Sequence, residues 1–412
     1  MRIAIIATLD TKLKEALYIK NRIESKKSSA LLIDTSILPH DKVGDIDIKD
    51  LLNKSDFNID EKLKVEKRSK IIEQVGLECG KQLKLLYDKG DINGVLGIGG
   101  NQGTAICGIA FQNLPFIFPK MIISTVASGD IRPYVRDKDI FVVFSITDFL
   151  FGPNFINKYV IDNAIDSIME MAKIRKVISK PSKTVVAMTA FGNTSKACNI
   201  CADLLRDMDF EPIVFHASGA GGSAMEELIE EGYIDGVIDL TTHEIIGELF
   251  TFDIYKPAIR NRFMAASKRG IPQVIVPGGM DYFVFGPPDT IPDYLKNRKI
   301  HYHNPYNTNV RISGDELVRV ADLMIERLDA SSGPVAILIP MKGWTEIGSD
   351  NNELFDPEAN NKFIDYLEKN FAPGKGRVFE KINDNINAFP FCQRCVQILV
   401  DFINIQLKEK RD

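Results

Sequence analysis

Three segments of the chain occur twice in the same order, and this repeat limits the fold more than any other feature. IAIIATLDTKLKEALYIKNRIESKKSSALLIDT (3–35) shares its layout with VVAMTAFGNTSKACNICADLLRDMDFEPIVFHA (185–217): apolar run, polar turn ending in Thr or Ser then Lys, amphipathic stretch, polar break, second apolar run. KGDINGVLGIGG (89–100) parallels EGYIDGVIDLTT (231–242), and FPKMIISTVASGD (118–130) parallels IPQVIVPGGMD (271–281). Short β-rich runs alternating with amphipathic segments are the pattern of βαβ units, in which helices cover a parallel sheet. In the first copy Leu13, Ala16, Ile19 and Ile23 fall on one helical face. The reading is an α/β protein of two Rossmann-like subdomains with mainly parallel sheets, internally repeated and facing a central cleft. They are residues 1–178 and 179–412, joined near the polar, proline-containing KIRKVISKPSKT (173–184).

Composition removes several partner classes. With 412 residues, 45% hydrophobic and 26% charged, the chain has ordinary globular content. A net charge of −5 argues against a nucleic-acid partner, and the basic run KLKVEKRSK (62–70) mixes in Glu as a solvated helix face does. The longest apolar tract, IFVVFSITDFLF (140–151), contains Asp148 and is too short to span a membrane. MRIAIIATLDTK enters a strand-like run at once, without a secretory pattern, so the expected location is cytoplasmic. There the six cysteines are reduced thiols. Cys198/Cys201 and Cys392/Cys395 have the spacing of zinc ligands but lie in helical patterns, so they read as packing thiols and no metal site is assigned.

In open parallel sheets ligands bind beyond the carboxyl ends of the strands. In the first half that rim carries Thr8, Asp10, Thr11 and Lys12, then Gly99, Gly100, Asn101, Gly103 and Thr104, then Ser124, Thr125 and Asp130. Glycines where a strand meets a helix expose backbone N–H groups to an anion, although LGIGGNQGTA (96–105) matches neither G-x-G-x-x-G nor a G-K-[ST] loop. In the second half the rim carries Gly221 and Gly222 of HASGAGGSAMEELI, Glu244 of TTHE and Asp281 of PGGMD. HYHNPYNTNVR (301–311) reads as a polar loop that brings His303 and Arg311 to a cleft, Arg311 as an oxyanion clamp. Asp130 and Asp281 occupy equivalent places, suited to Mg²⁺, a ligand hydroxyl or a turn cap. HEII (243–246) lacks the second zinc ligand because the residue four beyond His243 is Gly247, and no G-x-S-x-G elbow or kinase loop occurs.

Taken together, IAIIATLDTK, GIGGNQGTA, KMIISTVASGD with PYV (133–135), VFHASGAGGSAME, DLTTHE, PGGMDYFVFGPP and YHNPYNTNVR resemble the blocks of the Tm-one-like ATP-binding domain family, from residue 1 to about 345. The resemblance implies a nucleotide-binding protein of two α/β subdomains, with ATP and Mg²⁺ as ligands and a tendency to form a homodimer. It carries nucleotide binding onto turn 8–12 and loop 99–104, where Gln102 stands in a position that is small in relatives. No catalytic residue is assigned. One alternative is an enzyme acting on a small anionic metabolite held between the subdomains by His303, Arg311, Asp281 and Glu244. Another is a regulatory scaffold whose basic helix, about 60–88, binds a protein partner.

Overall fold

Apolar runs that are buried on both faces build the centre of each sheet. The computed structural model describes residues 1–55, 57–174, 178–257, 259–372, 374 and 376–409, so residues 175–177 of the expected linker lie outside it. The chain divides into two units, Met1–Ser179 and Lys180–Asp412.

In the first unit, β1 (Arg2–Ala7), β2 (Ser29–Asp34), β3 (Ile46–Asp47), β4 (Gly94–Gly99), β5 (Lys120–Ser124) and β6 (Phe141–Phe144) form one parallel sheet, ordered β3-β2-β1-β4-β5-β6. Strand side chains alternate between faces. Ile3 and Ile5 therefore pack with Ala16, Ile19 and Ile165 of helices Leu9–Ser25 and Phe155–Lys173. Ala4 and Ile6 pack on the other face with Val75 and Ile106 of helices Arg68–Asp88 and Asn101–Phe111. The expected basic helix over 60–88 is broken: Ile59–Lys62 and Arg68–Asp88 are separate helices.

In the second unit, β7 (Val185–Ala190), β8 (Glu211–His216), β9 (Gly236–Thr241), β10 (Gln273–Gly278), β14 (Val335–Pro340) and β15 (Arg377–Ile382) form a second parallel sheet, ordered β15-β14-β10-β9-β7-β8. Between β10 and β14 the chain makes a three-stranded antiparallel sheet from β11 (Tyr282–Phe285), β12 (Ile300–Asn304) and β13 (Asn307–Arg311). The repeat holds in three dimensions. In both units the first strand lies between the second on one side and the next two repeated strands on the other, so β1, β2, β4 and β5 correspond to β7, β8, β9 and β10.

HYHNPYNTNVR is thus a hairpin and not a loop. β13 buries Thr308 and Val310, whereas Tyr302, His303 and Asn304 of β12 face solvent. An exposed edge strand reads as polar and conceals its pairing. The four C-x-x-C cysteines lie on helices Ser195–Asp207 and Phe389–Glu409, inside one apolar cluster with Val186 and Leu240. Cys201 Sγ lies 3.7 Å from the Cys392 carbonyl oxygen, and burial pushes the Cys198 thiol up to about 12, as expected of packing thiols. Among the described residues no helix is long and apolar enough to cross a membrane.

Helix Asn101–Phe111 lies so close to β4 that a Cβ on Gly99 would stand 2.6 Å from Gly103 Cα. Gly99→Ala should therefore lift the helix from the sheet and destabilise the protein by about 1–3 kcal/mol. An unchanged urea midpoint would contradict that contact.

Candidate functional site

Strand order in the first unit reverses between β1 and β4, and in such sheets the crevice beyond that pair is the ligand position. Turn 8–12 and loop 99–104 are the segments that leave these two strands. On the β1 side Thr8 caps helix Leu9–Ser25, its carbonyl accepting the amides of Thr11 (3.1 Å) and Lys12 (2.8 Å). The Thr8 and Thr11 hydroxyls meet at 3.1 Å, and Thr11 also donates to Asp10 Oδ1 at 3.2 Å. Lys12 sits in a kink (φ −124°, ψ 21°), and its ammonium donates to the Phe149 carbonyl at 2.6 Å. That bond occupies one of the three donors and ties the turn to the segment after β6.

On the β4 side Gly100 caps helix Asn101–Phe111. The amides of Asn101, Gln102 and Gly103 have no acceptor among the described residues, whereas that of Thr104 is bonded to Gly100 O at 2.9 Å. Gly100 differs from Gly99 in that nothing in the fold requires its lack of a side chain. Its φ is −85°, and a Cβ there would meet only Thr125 Oγ1, at an ordinary 3.5 Å. Thr125 is half-buried beside it, and Asn101 is exposed, accepting from the Tyr134 hydroxyl at 3.1 Å.

Other expected rim residues lie elsewhere. Thr104 and Ser124 are buried and share a 2.7 Å hydrogen bond that clasps the helix to β5, so their hydroxyls are not open to a ligand. Asp130 is exposed and caps its own turn: it accepts the Arg132 amide at 3.1 Å and the guanidinium at 2.9 and 3.0 Å, which holds its carboxyl below the usual range.

Three residues at this rim escaped the sequence reading. Arg68 reaches from helix Arg68–Asp88 to Gln102 Oε1 at 2.8 Å, so part of the basic run read as a solvated face stands beside the glycine loop. Asp34 ends β2 and is buried, accepting from Ser36 N (2.9 Å), Leu9 N (3.3 Å) and His40 Nε2 (2.5 Å). Burial pulls His40 down, but the Leu38 carbonyl and the Asp34 carboxylate outweigh it and raise its pKa. An acidic residue at the end of the second strand was the available signal for Asp34. No local pattern identifies Arg68.

The second unit is closed at the corresponding places. The amides of Gly219 and Gly222, at the start of helix Ala220–Glu230, already hold Glu244 Oε1 at 2.6 and 3.1 Å. Gly221 and Gly222 serve this packing, because Cβ atoms there would stand 2.1 Å from His216 O and 1.6 Å from Glu244 Oε2. Glu244 belongs to a buried cluster in which one cation, Arg262, meets Glu226 at 2.9 Å, Asp239 at 2.5 Å and Glu244 at 3.0 Å. Desolvation raises Glu226 to about 7 against the pull of Arg262, and it also raises the Glu244 carboxyl above its ordinary value.

Asp281 and Arg311 are also interior. Arg311 donates to Asp281 O at 2.6 Å and to Asn360 Oδ1 at 2.5 Å, while Asp281 Oδ2 accepts from Thr345 at 2.7 Å. His303 is exposed on β12. Two of the expected metabolite ligands are thus interior struts, one is an internal anion and one is a surface residue, so the four do not assemble into a site. Beyond β7 and β9, Phe191 and His243 pack edge to face at 5.6 Å, with Tyr255 and Tyr282 against the imidazole. His243 bonds Gly279 O at 2.6 Å and Asp253 Oδ2 at 3.2 Å.

The description "Uncharacterised protein family (UPF0261) N-terminal domain" matches residues 1–177, and the corresponding C-terminal domain matches 183–403. A UPF0261 protein of Clostridium tetani is 33% identical over 98% of this chain and 99% of its own. The tomato ToMV resistance protein Tm-1(GCR237) is 35% identical over 67% of this chain and 37% of its own. Among solved structures, a putative UDP-N-acetylglucosamine 2-epimerase from Listeria monocytogenes aligns over 66% of this chain and 78% of its own with 10% identity, at a TM-score of 0.22 that supports no further comparison.

The Arg262 cluster generates two expectations. Arg262→Met leaves three buried carboxylates without their cation and should cost about 3–5 kcal/mol in denaturant unfolding. Glu226, held near 7 against an ordinary 4.5, gives stability that is full below pH 4.5 and lost as pH rises to 7, because the unfolded chain releases the proton first. Glu226→Gln should flatten that fall relative to wild type between these values. Parallel pH profiles would disprove the assignment.

Proposed function

We propose, for a chain that belongs to the uncharacterised protein family UPF0261, that its first unit binds ATP with Mg²⁺ where the strand order reverses between β1 and β4. The observation that carries this reading is Gly100. Its missing side chain answers no demand of backbone conformation or packing, and it stands beside three amides that lack acceptors. A bare backbone at a helix N-terminus suits phosphate oxygens, through the aligned amides and their partial positive charge. Arg68 adds a guanidinium on one side, and Thr8 and Thr11 add hydroxyls on the other. Resemblance to the Tm-one-like ATP-binding domain family supports the choice of adenine nucleotide.

The residues also fit Mg²⁺, which keeps most of its waters and is held through phosphates and one or two carboxylates. Asp10 is the carboxylate on the β1 turn, half-buried, with the Thr11 hydroxyl at 3.2 Å from Oδ1 and Leu38 N at 3.4 Å from Oδ2. Lys12, bonded to Phe149 O, retains two donors for an anion. The reading makes the protein a cytoplasmic nucleotide-binding homodimer. The apolar side chains that a second copy would cover are Phe144, Ile146, Phe151, Phe155 and Tyr159, all exposed on the first unit.

Calorimetry with ATP and Mg²⁺ tests the site. Gly100→Val should weaken binding about tenfold or more, equivalent to about 1.4 kcal/mol, with the urea midpoint nearly unchanged because that space is open. Equal affinity in the variant would reject the site. Sedimentation should give a dimer for wild type and a monomer for Phe155→Asp; a monomeric wild type would reject the dimer alone.

A further inference from the structure

The second unit has a cavity of about 390 Å³ at the carboxyl ends of β7, β14 and β15, separate from the proposed nucleotide site in the first unit. Its walls come from the turn after β7 (Gly192), the first turn of helix Ser195–Asp207 (Lys196), the loop after β14 (Glu346, Asp350) and the segment after β15 (Asn387). These walls are tied together. Asn193 O accepts Glu346 N at 3.2 Å and Asn387 Nδ2 at 3.1 Å, and Asn387 Oδ1 accepts Ala197 N at 3.0 Å. The β14 loop is anchored by buried Trp344, packed on Phe363 at 5.1 Å, and by the Thr345 hydroxyl on Asp281.

Three charged side chains line this frame. Lys196, Glu346 and Asp350 are exposed and line one cavity, yet none makes a side-chain hydrogen bond or ion pair with any described residue. Most other charged side chains of this unit have such partners, for example Lys180 with Asp235 and Arg298 with Glu316. Cation and carboxylates thus face the same space without neutralising one another. Gly192, beside Lys196, is open: a Cβ there would meet nothing within 4 Å.

We infer that this cavity binds a small zwitterion of the α-amino acid class, its carboxylate at Lys196 and Gly192 and its ammonium at Glu346 and Asp350. A molecule carrying both charges a few bonds apart pairs with all three side chains at once. A simple anion would meet two carboxylates of like charge, and a simple cation would meet the lysine.

The experiment is a thermal-shift screen of the full chain against the common protein amino acids, followed by calorimetry, with acetate and methylammonium as single-charge controls. At least one amino acid should bind with a Kd of about 1 mM or tighter, and neither control should. Lys196→Met and Asp350→Asn should each weaken that binding about tenfold. Both positions are exposed, so the fold survives the changes. Gly100→Val should leave amino-acid affinity unchanged, which separates this site from the proposed nucleotide site. No amino acid binding near that Kd, equal binding of a control, or unchanged affinity in both variants would overturn the inference.

Discussion

A parallel sheet must be covered on both faces, and that requirement organises both units. Every strand of each six-stranded sheet runs the same way, so every crossover returns over a face and every strand discharges its chain at one end. Apolar strands such as IAIIA and GVLGI are the material consequence, because each residue meets a helix whichever way it points. The functional consequence is a rim where turns distant in sequence become neighbours. Turn 8–12 and loop 99–104 are adjacent only because β1 pairs with β4.

The two copies use that rim differently. Where the first unit has Gly100 and Asn101, the repeat places Thr242 and His243 in the second. Thr242 turns its hydroxyl to the Val276 carbonyl at 2.8 Å, and His243 fills the space with an imidazole bonded at both nitrogens. Another helix N-terminus in the second unit holds Glu244 as an internal anion. Side chains of the second unit thus supply from within the partners that the amides of residues 101–103 lack among the described residues of the first. A buried cluster with one arginine and three carboxylates accompanies this arrangement, and desolvation raises its Glu226 carboxyl.

Glycine shows where reading by residue type stops. Gly99, Gly100, Gly221 and Gly222 are alike as letters at strand-to-helix joints. Gly99 is required by Gly103 against it, Gly221 by a carbonyl and Gly222 by a carboxylate, and only Gly100 faces open space. Likewise Thr104 and Thr125 are equivalent as hydroxyls near a loop, but one is locked to Ser124 in the interior and the other lies half-open beside Gly100. HYHNPYNTNVR failed as a loop for a related reason: an exposed hairpin strand has polar letters because its outer face is wet.

Periodicity and repetition in the sequence alone determined the α/β class, the two similar halves, the four repeated strands of each six-stranded sheet and the turns that leave them. These properties follow from local hydrophobic spacing, which a linear reading preserves. Tertiary structure alone decided which stretch of each rim is open, because that depends on what fills the space beyond each strand end. Arg68 beside Gln102, Glu244 in the amides of Gly219 and Gly222, and the aromatic packing on His243 all join residues far apart in the chain. Such contacts leave no spacing pattern behind, since the distance that matters is through space and not along the backbone.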